Sequence, residues 1–312
     1  MTKSLSLLTA SFSFLAGPAL AGSPAPITTT TSESSVSEAN PLSFFDAFRV
    51  SAYGNFGMEF DNSAVELDAY QAELHTFLSK PLTFGDFSLL PTFRYEGTFL
   101  RYDGNTPFFP VGDEELHSLE LPLYLIHMTQ GSPWIYGAWI QPSLSTDFDH
   151  IDSDDIFLDL AVGVGYKFSN RLYVGVGAAG FDLFGNESLI PGAGFIWMPT
   201  DDIMVRLIGA TFVAEWQASQ DWKFGIDVRS AGGVWNIDDK NQSRTLDFTS
   251  YRAGIHAQRR LVDTWWLEGG AGFTFANEIN LRTPDGLGLY ESSLGDLDEG
   301  VYGYLALRKA VW

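Results

Sequence analysis

The feature that most limits how this chain can fold is a two-residue rhythm held over long segments. Between residues 156 and 168 one face reads Ile, Leu, Leu, Val, Val, Tyr, Phe without a break, while the other mixes Phe157 with Asp159, Ala161, Gly163, Gly165 and Lys167. A period of two belongs to β-strands. The same alternation runs through 48–60, 87–99, 119–125, 134–144, 222–228 and 265–275, and the apolar faces begin or end on aromatic residues: Phe60, Tyr166, Phe168, Trp197, Trp222, Trp265. Such segments have the dress of tilted transmembrane strands with aromatic girdles. Beyond the N-terminus no run of about 18 apolar residues exists, which excludes a helical inner-membrane protein. In lipid every backbone polar group must be satisfied, so strands of this kind must close into a barrel. The fold expected is all-β, a transmembrane antiparallel up-and-down β-barrel, with a soluble sandwich as the alternative.

Counting strands by eye gives thirteen, an odd number that single-chain bacterial barrels do not use. Four tight connections share a polar cluster followed by an apolar starter: 169–172 (SNRL), 200–203 (TDDI), 219–222 (SQDW) and 262–265 (VDTW). If like turns lie on one side of the membrane, an even number of strands must separate the second from the third. The segment 203–217 is therefore split near Gly209-Ala210, which gives 14 strands; 12 would follow if 203–217 ran unbroken. Short turns then face the periplasm, and the long connections at about 102–114, 147–155, 182–188, 236–244 and 279–299 face outward.

Residues 1–21 carry an early Lys3, an apolar stretch and Ala19-Leu20-Ala21, the pattern of a cleaved export signal. Residues 22–46 are rich in Ser, Thr, Pro and Glu and read as a disordered tail, leaving 47–312 for the barrel. The 312 residues include no cysteine, so disulfides, thiolate metal sites and cysteine nucleophiles are excluded. A net charge of −21 argues against nucleic acid.

Chemistry must come from the inward faces and the loops. The lumen faces are expected to carry Arg49, Arg94, Lys167, Arg206, Lys223, Arg229, Arg252 and Arg260 against Glu59, Glu73, Glu96, Glu120, Asp159, Asp227 and Glu268. These charges form either cross-lumen ion pairs or a charged constriction that selects solutes. Arg252, His256 and Arg260, on one face of one strand, are the best local cluster for an anion. Glycine pairs 163/165, 175/177 and 192/194 recur at inward positions, leaving room for large residues opposite or for a solute groove. The GxGxxG at 175–180 lies in a strand with no helix after it, so it is not a nucleotide loop. In the loop 147–155, Asp147, Asp149, Asp152, Asp154 and Asp155 could attract a divalent cation, although the spacing is not that of a calcium hand. His117 and His127 flank one strand near its ends, where a hydrolase histidine or an interfacial ring would sit.

The stretch from about 119 to 312 resembles a family of bacterial outer-membrane β-barrels of uncharacterised function. The residues that carry the resemblance are ELPLY at 120–124, SNRL at 169–172, YRAG at 251–254 and, most specifically, L-x-P-G-x-G-F-x-W-x-P at 189–199. It implies an outer-membrane location, contact with membrane lipid and lipopolysaccharide, and recognition of a C-terminal aromatic, Trp312, by the barrel assembly machinery. Ala310 and Arg308 depart from that terminal signal and leave open whether Val301, Leu305, Leu307 and Val311 form the lipid face of the last strand. No cofactor and no catalytic residue come with the resemblance. The function expected is passive channel or transport activity toward small solutes, with a non-conducting structural or surface-interaction barrel as alternative and a lipid-modifying hydrolase third. Acidic loops would favour cations at the outer rim or divalent ions bridging to lipopolysaccharide.

Overall fold

The computed structural model describes residues 46–61, 63–104, 112–181, 188–239, 242–282, 289–291 and 296–310. The expected signal peptide, nearly all of the tail, Val311 and Trp312 lie outside the described residues. Seventeen β segments follow one another: β1 (Asp46–Glu59), β2 (Glu66–Phe77), β3 (Leu82–Phe84), β4 (Phe87–Asp103), β5 (Glu114–Glu120), β6 (Leu123–Met128), β7 (Trp134–Thr146), β8 (Ile156–Ser169), β9 (Leu172–Phe181), β10 (Ser188–Trp197), β11 (Ile203–Ile208), β12 (Thr211–Gln217), β13 (Trp222–Asp239), β14 (Gln242–Val262), β15 (Trp265–Arg282), β16 (Leu289–Glu291) and β17 (Val301–Ala310).

β3 and β16 are three-residue hairpin pieces, and β5 and β6 are one stave interrupted at Leu121-Pro122, where proline withholds a ladder donor. The remainder is a closed antiparallel barrel of 14 strands, sealed by β1 against β17 from Asp46↔Ala310 to Phe56↔Val301. The inferred split of 203–217 is real. β11 and β12 meet in a two-residue turn at Gly209-Ala210, and Gly209 takes φ +58°, which glycine accepts without strain.

The last strand settles its own parity. Val301 and Leu305 are exposed on the lipid side, whereas Tyr302, Tyr304 and Ala306 are buried inside and Arg308 reaches inward to Asp46. Aromatic belts mark both interfaces. At the end bearing the termini Trp134 packs edge-on to Tyr166 and Trp222 stacks on Phe224; at the outer end Phe56 meets Tyr70.

Two bulges overturn part of the expected face assignment. The β1–β2 register slips between Asn55 and Met58, with Gly57 at φ +72°, so alternation changes phase. Phe60 is therefore buried inside the barrel, not part of a lipid-facing girdle, and Glu59 points outward, not into the lumen. A matching slip in β15 places Ala276 at φ +49° and turns Asn277, Ile279 and Leu281 inward. The outward loops also differ from expectation. β13, β14 and β15 have 18, 21 and 18 residues, where about 9–11 suffice to cross a bilayer, so 236–244 is mostly strand and 279–299 begins as one.

Candidate functional site: the barrel lumen

The inward faces divide the lumen into layers. At the outer end Met58, Phe60, Val65, Leu67, Ala69, Leu100, Leu116, Trp235, Ile237, Leu246, Phe248, Ile279, Leu281 and Leu297 form one apolar core. They come from β1, β2, β4, β5, β13, β14 and β15, together with Phe60, Val65 and Leu297 of the connections, so side chains from facing walls pack across the axis. β13 makes this closure by leaning over to β7: Asn236 bridges Thr146 in parallel, and its side-chain amide donates to Asp155 Oδ1 at 2.9 Å. Nearer the termini a second apolar cluster, with Leu90, Ile126, Ile135, Tyr173 and Ile196 at its centre, occupies one side of the lumen.

Between these layers lies a polar cavity of about 340 Å³. Arg94 is the hub on one wall, donating to Glu73 at 2.9 Å, Glu96 at 2.5 Å and Glu120 at 3.3 Å. Across the lumen Glu268 accepts from Arg49 at 3.1 Å and from the Tyr304 hydroxyl at 2.7 Å, with Arg308 at 3.5 Å and Arg229 at 3.7 Å. Asp227 pairs with Arg229 at 2.5 Å. His256 sits between Asp227 (3.3 Å) and Glu215 (3.6 Å). Buried pairs of this kind hold only while both partners remain, because removing one strands a charge in low dielectric.

Arg252 differs from its neighbours. Its guanidinium donates to Asn55 Oδ1 at 2.9 Å and to Gln71 Oε1, and lies over the rings of Tyr53 (4.7 Å) and Tyr302 (5.9 Å), but makes no ion pair among the described residues. It lines the cavity and is 6% exposed. A buried cation whose direct hydrogen-bond partners among the described residues are neutral is well prepared for an anion, although Glu96 lies one link away through Gln71.

The other expected residues fall into place around this centre. Asp159 and Arg206 line the same cavity. Lys167 lies over Tyr173, towards the end bearing the termini. Arg260 pairs with the exposed Asp221 at 3.4 Å and covers Trp266, so the Arg252–His256–Arg260 row does not converge on one anion: spaced four residues apart, each has its own partners. The loop carboxylates do not assemble a cation site either; among the described residues no three metal-ligating side chains converge. Asp147 accepts from the Asp149 amide, Asp152 caps the 3-10 turn Ser153–Asp155 through the Asp154 amide, and Asp155 accepts from the Asp152 amide and from Asn236. Burial raises the Asp155 carboxyl above its ordinary value. His117 accepts or donates to the Tyr95 hydroxyl at 2.9 Å and stacks on Phe148, and His127 packs on Phe87. Sequence reasoning missed Asp46, Glu215, Arg308, Asn55 and Gln71. Asp46 and Arg308 lie in terminal segments whose phase was unreadable, and neutral amides look alike on any strand.

The wall formed by β8, β9 and β10 is bare by comparison. Gly163 faces Gly177, which faces Gly192; Gly165 faces Gly175, which faces Gly194. Ala161 and Ala179 continue the row and pack with Trp139 and Phe181.

The chain overlays the COG4313 outer membrane channel from Pseudomonas putida F1 with 12% identity, a TM-score of 0.45, and coverage of 85% of this chain and 96% of that one. A TodX deltaS2S3 mutant monoaromatic hydrocarbon channel gives 9%, 0.38, 88% and 93% for the same quantities, and a Pseudomonas aeruginosa FadL homologue gives 10%, 0.38, 88% and 93%. No curated protein matches in sequence. The model of a family described as a domain of unknown function, DUF6268, matches residues 97–302. The chain belongs to that family, whose function is unknown, and is itself an outer-membrane β-barrel.

Proposed function

We propose that this protein is exported through cleavage of residues 1–21 and carries small solutes passively across the outer membrane, through a solute-binding cavity and not a continuous water-filled pore. The observation that carries this reading is the 340 Å³ polar cavity with fixed charges of both signs and one arginine, Arg252, free of carboxylate partners among the described residues. Cavities of this size hold one small molecule. Neighbouring folds named as channels agree with the reading but do not supply it.

Proteoliposome swelling with small anionic, neutral and cationic solutes tests the proposal. The expected result is flux with anions preferred, little steady ionic current in planar bilayers, and a preference reversed by Arg252→Glu. Unchanged selectivity in that variant removes Arg252 from the site, and absence of flux for every solute from folded protein sinks the transport reading. A second reading, a non-conducting structural barrel, is favoured by one observation, the apolar core across the outer end. It requires silence in both assays.

A further inference from the structure

The charges around the central cavity are sorted into two poles. At the first, three carboxylates share one guanidinium: Arg94 Nη1 donates to Glu120 at 3.3 Å, Nη2 to Glu96 at 2.5 Å and Nε to Glu73 at 2.9 Å. Glu73 also accepts from Ser51 at 3.3 Å, and Glu96 from Gln71 at 3.2 Å and Thr98 at 3.3 Å, but Glu120 has no other donor among the described residues. The cluster thus carries two negative charges in excess, and Glu120 keeps lone pairs to spare. The second pole is Arg252. Its Nε donates to Asn55 Oδ1 at 2.9 Å and its Nη2 to Gln71 Oε1, which leaves Nη1 without a hydrogen bond among the described residues. Asn55 beside it is itself short of a partner, since its Nδ2 is buried with no acceptor.

The two poles stand one amide apart. Gln71 accepts from Arg252 through Oε1 and donates to Glu96 through Nε2, and Arg252, Gln71, Glu96, Arg94 and Glu120 all line the same cavity. An anion docked on Nη1 alone brings its charge towards a cluster already two charges negative, and like charges repel strongly at short range in low dielectric. A guest that carries its own cation close to the anion removes that repulsion and meets Glu120 as well. The cation must have an N–H to give, because the ring faces that would hold a quaternary ammonium are already covered. Arg252 lies over Tyr53 at 4.7 Å and Tyr302 at 5.9 Å, and Arg229 lies over Tyr304 at 5.8 Å. The third flank is apolar: Pro122, two residues beyond Glu120, lines the cavity with Tyr124 and Ile208, which pack against the cluster of Leu90, Ile126 and Ile196.

We propose that the cavity binds a zwitterion of the α-amino acid class with an apolar side chain. Its carboxylate accepts from Arg252 Nη1, its ammonium donates to Glu120, and its side chain lies against Pro122, Tyr124 and Ile208. This rests on the transport reading and specifies its substrate class. Carboxylate and ammonium share one carbon in such a molecule, so it spans the gap between the poles with a hydrogen bond at each end. Its zero net charge suits a cavity lined by six carboxylates and five guanidiniums.

The test is calorimetry on the full-length protein in detergent with four probes: L-leucine, isocaproate, which lacks the ammonium, isoamylamine, which lacks the carboxylate, and N-trimethylated leucine, which has no N–H. Leucine is expected to bind about tenfold tighter than each of the others, the worth of one hydrogen bond to a charged group. Arg252→Gln should weaken leucine about tenfold and leave isoamylamine unchanged. Glu120→Gln, with Arg94 still held by Glu73 and Glu96, should weaken leucine about tenfold and leave isocaproate no weaker. A merely structural role for either residue would move all probes together, and the wild-type series decides if a variant does not fold. Isocaproate or the trimethylated form binding as tightly as leucine overturns the proposal, as does a parallel loss for every probe in both variants. Swelling assays with polar solutes judge the transport reading separately: flux without leucine binding overturns only this inference, and leucine binding without flux overturns only transport.

Discussion

The barrel has two walls of opposite character. The arc of β13, β14, β15, β17, β1, β2 and β4, the tall arc, includes the four longest strands, carries most of the charged network and packs a large apolar core across the outer end. The arc from β8 to β12, the short arc, has strands of 6 to 14 residues, carries inward glycine rows on β8, β9 and β10, and turns back at Gly209. Both arcs satisfy the same lipid constraint, since their outward faces are apolar. The difference lies inside, where lipid imposes nothing. The tall arc fills its interior with packed and paired side chains, and the short arc leaves the backbone of β8, β9 and β10 bare along its glycine rows.

That contrast can be broken by substitution. The largest effect is expected from Glu268→Ala, which removes the carboxylate shared by Arg49, Arg229 and Arg308, leaves three buried cations on Asp46 and Asp227, and should cost about 3–5 kcal/mol in urea unfolding from lipid vesicles. A change under 1 kcal/mol would mean that water fills the tall arc and the network is not a scaffold. Next comes Trp235→Ala, fully buried in the outer core, expected to cost about 3–5 kcal/mol and to raise ionic conductance in planar bilayers by opening the axis. If stability falls but conductance stays low, the seal lies elsewhere. On the short arc, Gly209→Val forces a β-branched residue to φ +58° and should cost about 1–3 kcal/mol, read by the same unfolding curve.

The smallest effect concerns the latch between the arcs. Burial raises the Asp155 carboxyl, so the folded protein keeps that proton to higher pH than the unfolded chain does. The stability tied to the protonated form is present at low pH and is lost as pH rises from the ordinary carboxylate value through the raised one. The thermal midpoint of the wild type, measured against that of Asp155→Asn, should therefore fall across that window. A difference that is flat with pH would remove Asp155 as a titrating group.

Much of this was legible in the residues, and the reasons differ by element. Lipid enforces alternation wherever a strand crosses it, which is why the strand segments and even the turn at Gly209-Ala210 could be placed from pattern and parity. The bulges could not. Gly57 and Ala276 shift the phase by one residue, and Ala276 is an unremarkable side chain that carries no signal for its positive φ. Phe60 and Glu59 were misplaced for that reason alone. The upper halves of β13 to β15 stand beyond the bilayer, so the outward-apolar rule no longer applies and they read as loops. For the site, charged lumen residues were visible as types, but their grouping around Arg94 and Glu268 depends on which strands face each other across the axis.

The pairing of β1 with β17 joins residues some 250 positions apart. A nascent chain cannot close this barrel until its final strand exists, so closure comes late and is slow in the sense that high contact order makes folding slow. Lateness leaves room for error, because the two strands could dock one residue out of step. A one-residue slip would turn one of the two strands over, sending Arg49 or Arg308 out toward lipid and carrying Val50 or Leu305 inward. The terminal strands thus carry a self-check, in which only one alignment returns both arginines to Asp46 and Glu268, and misaligned barrels are left with charge on the wrong side of the wall.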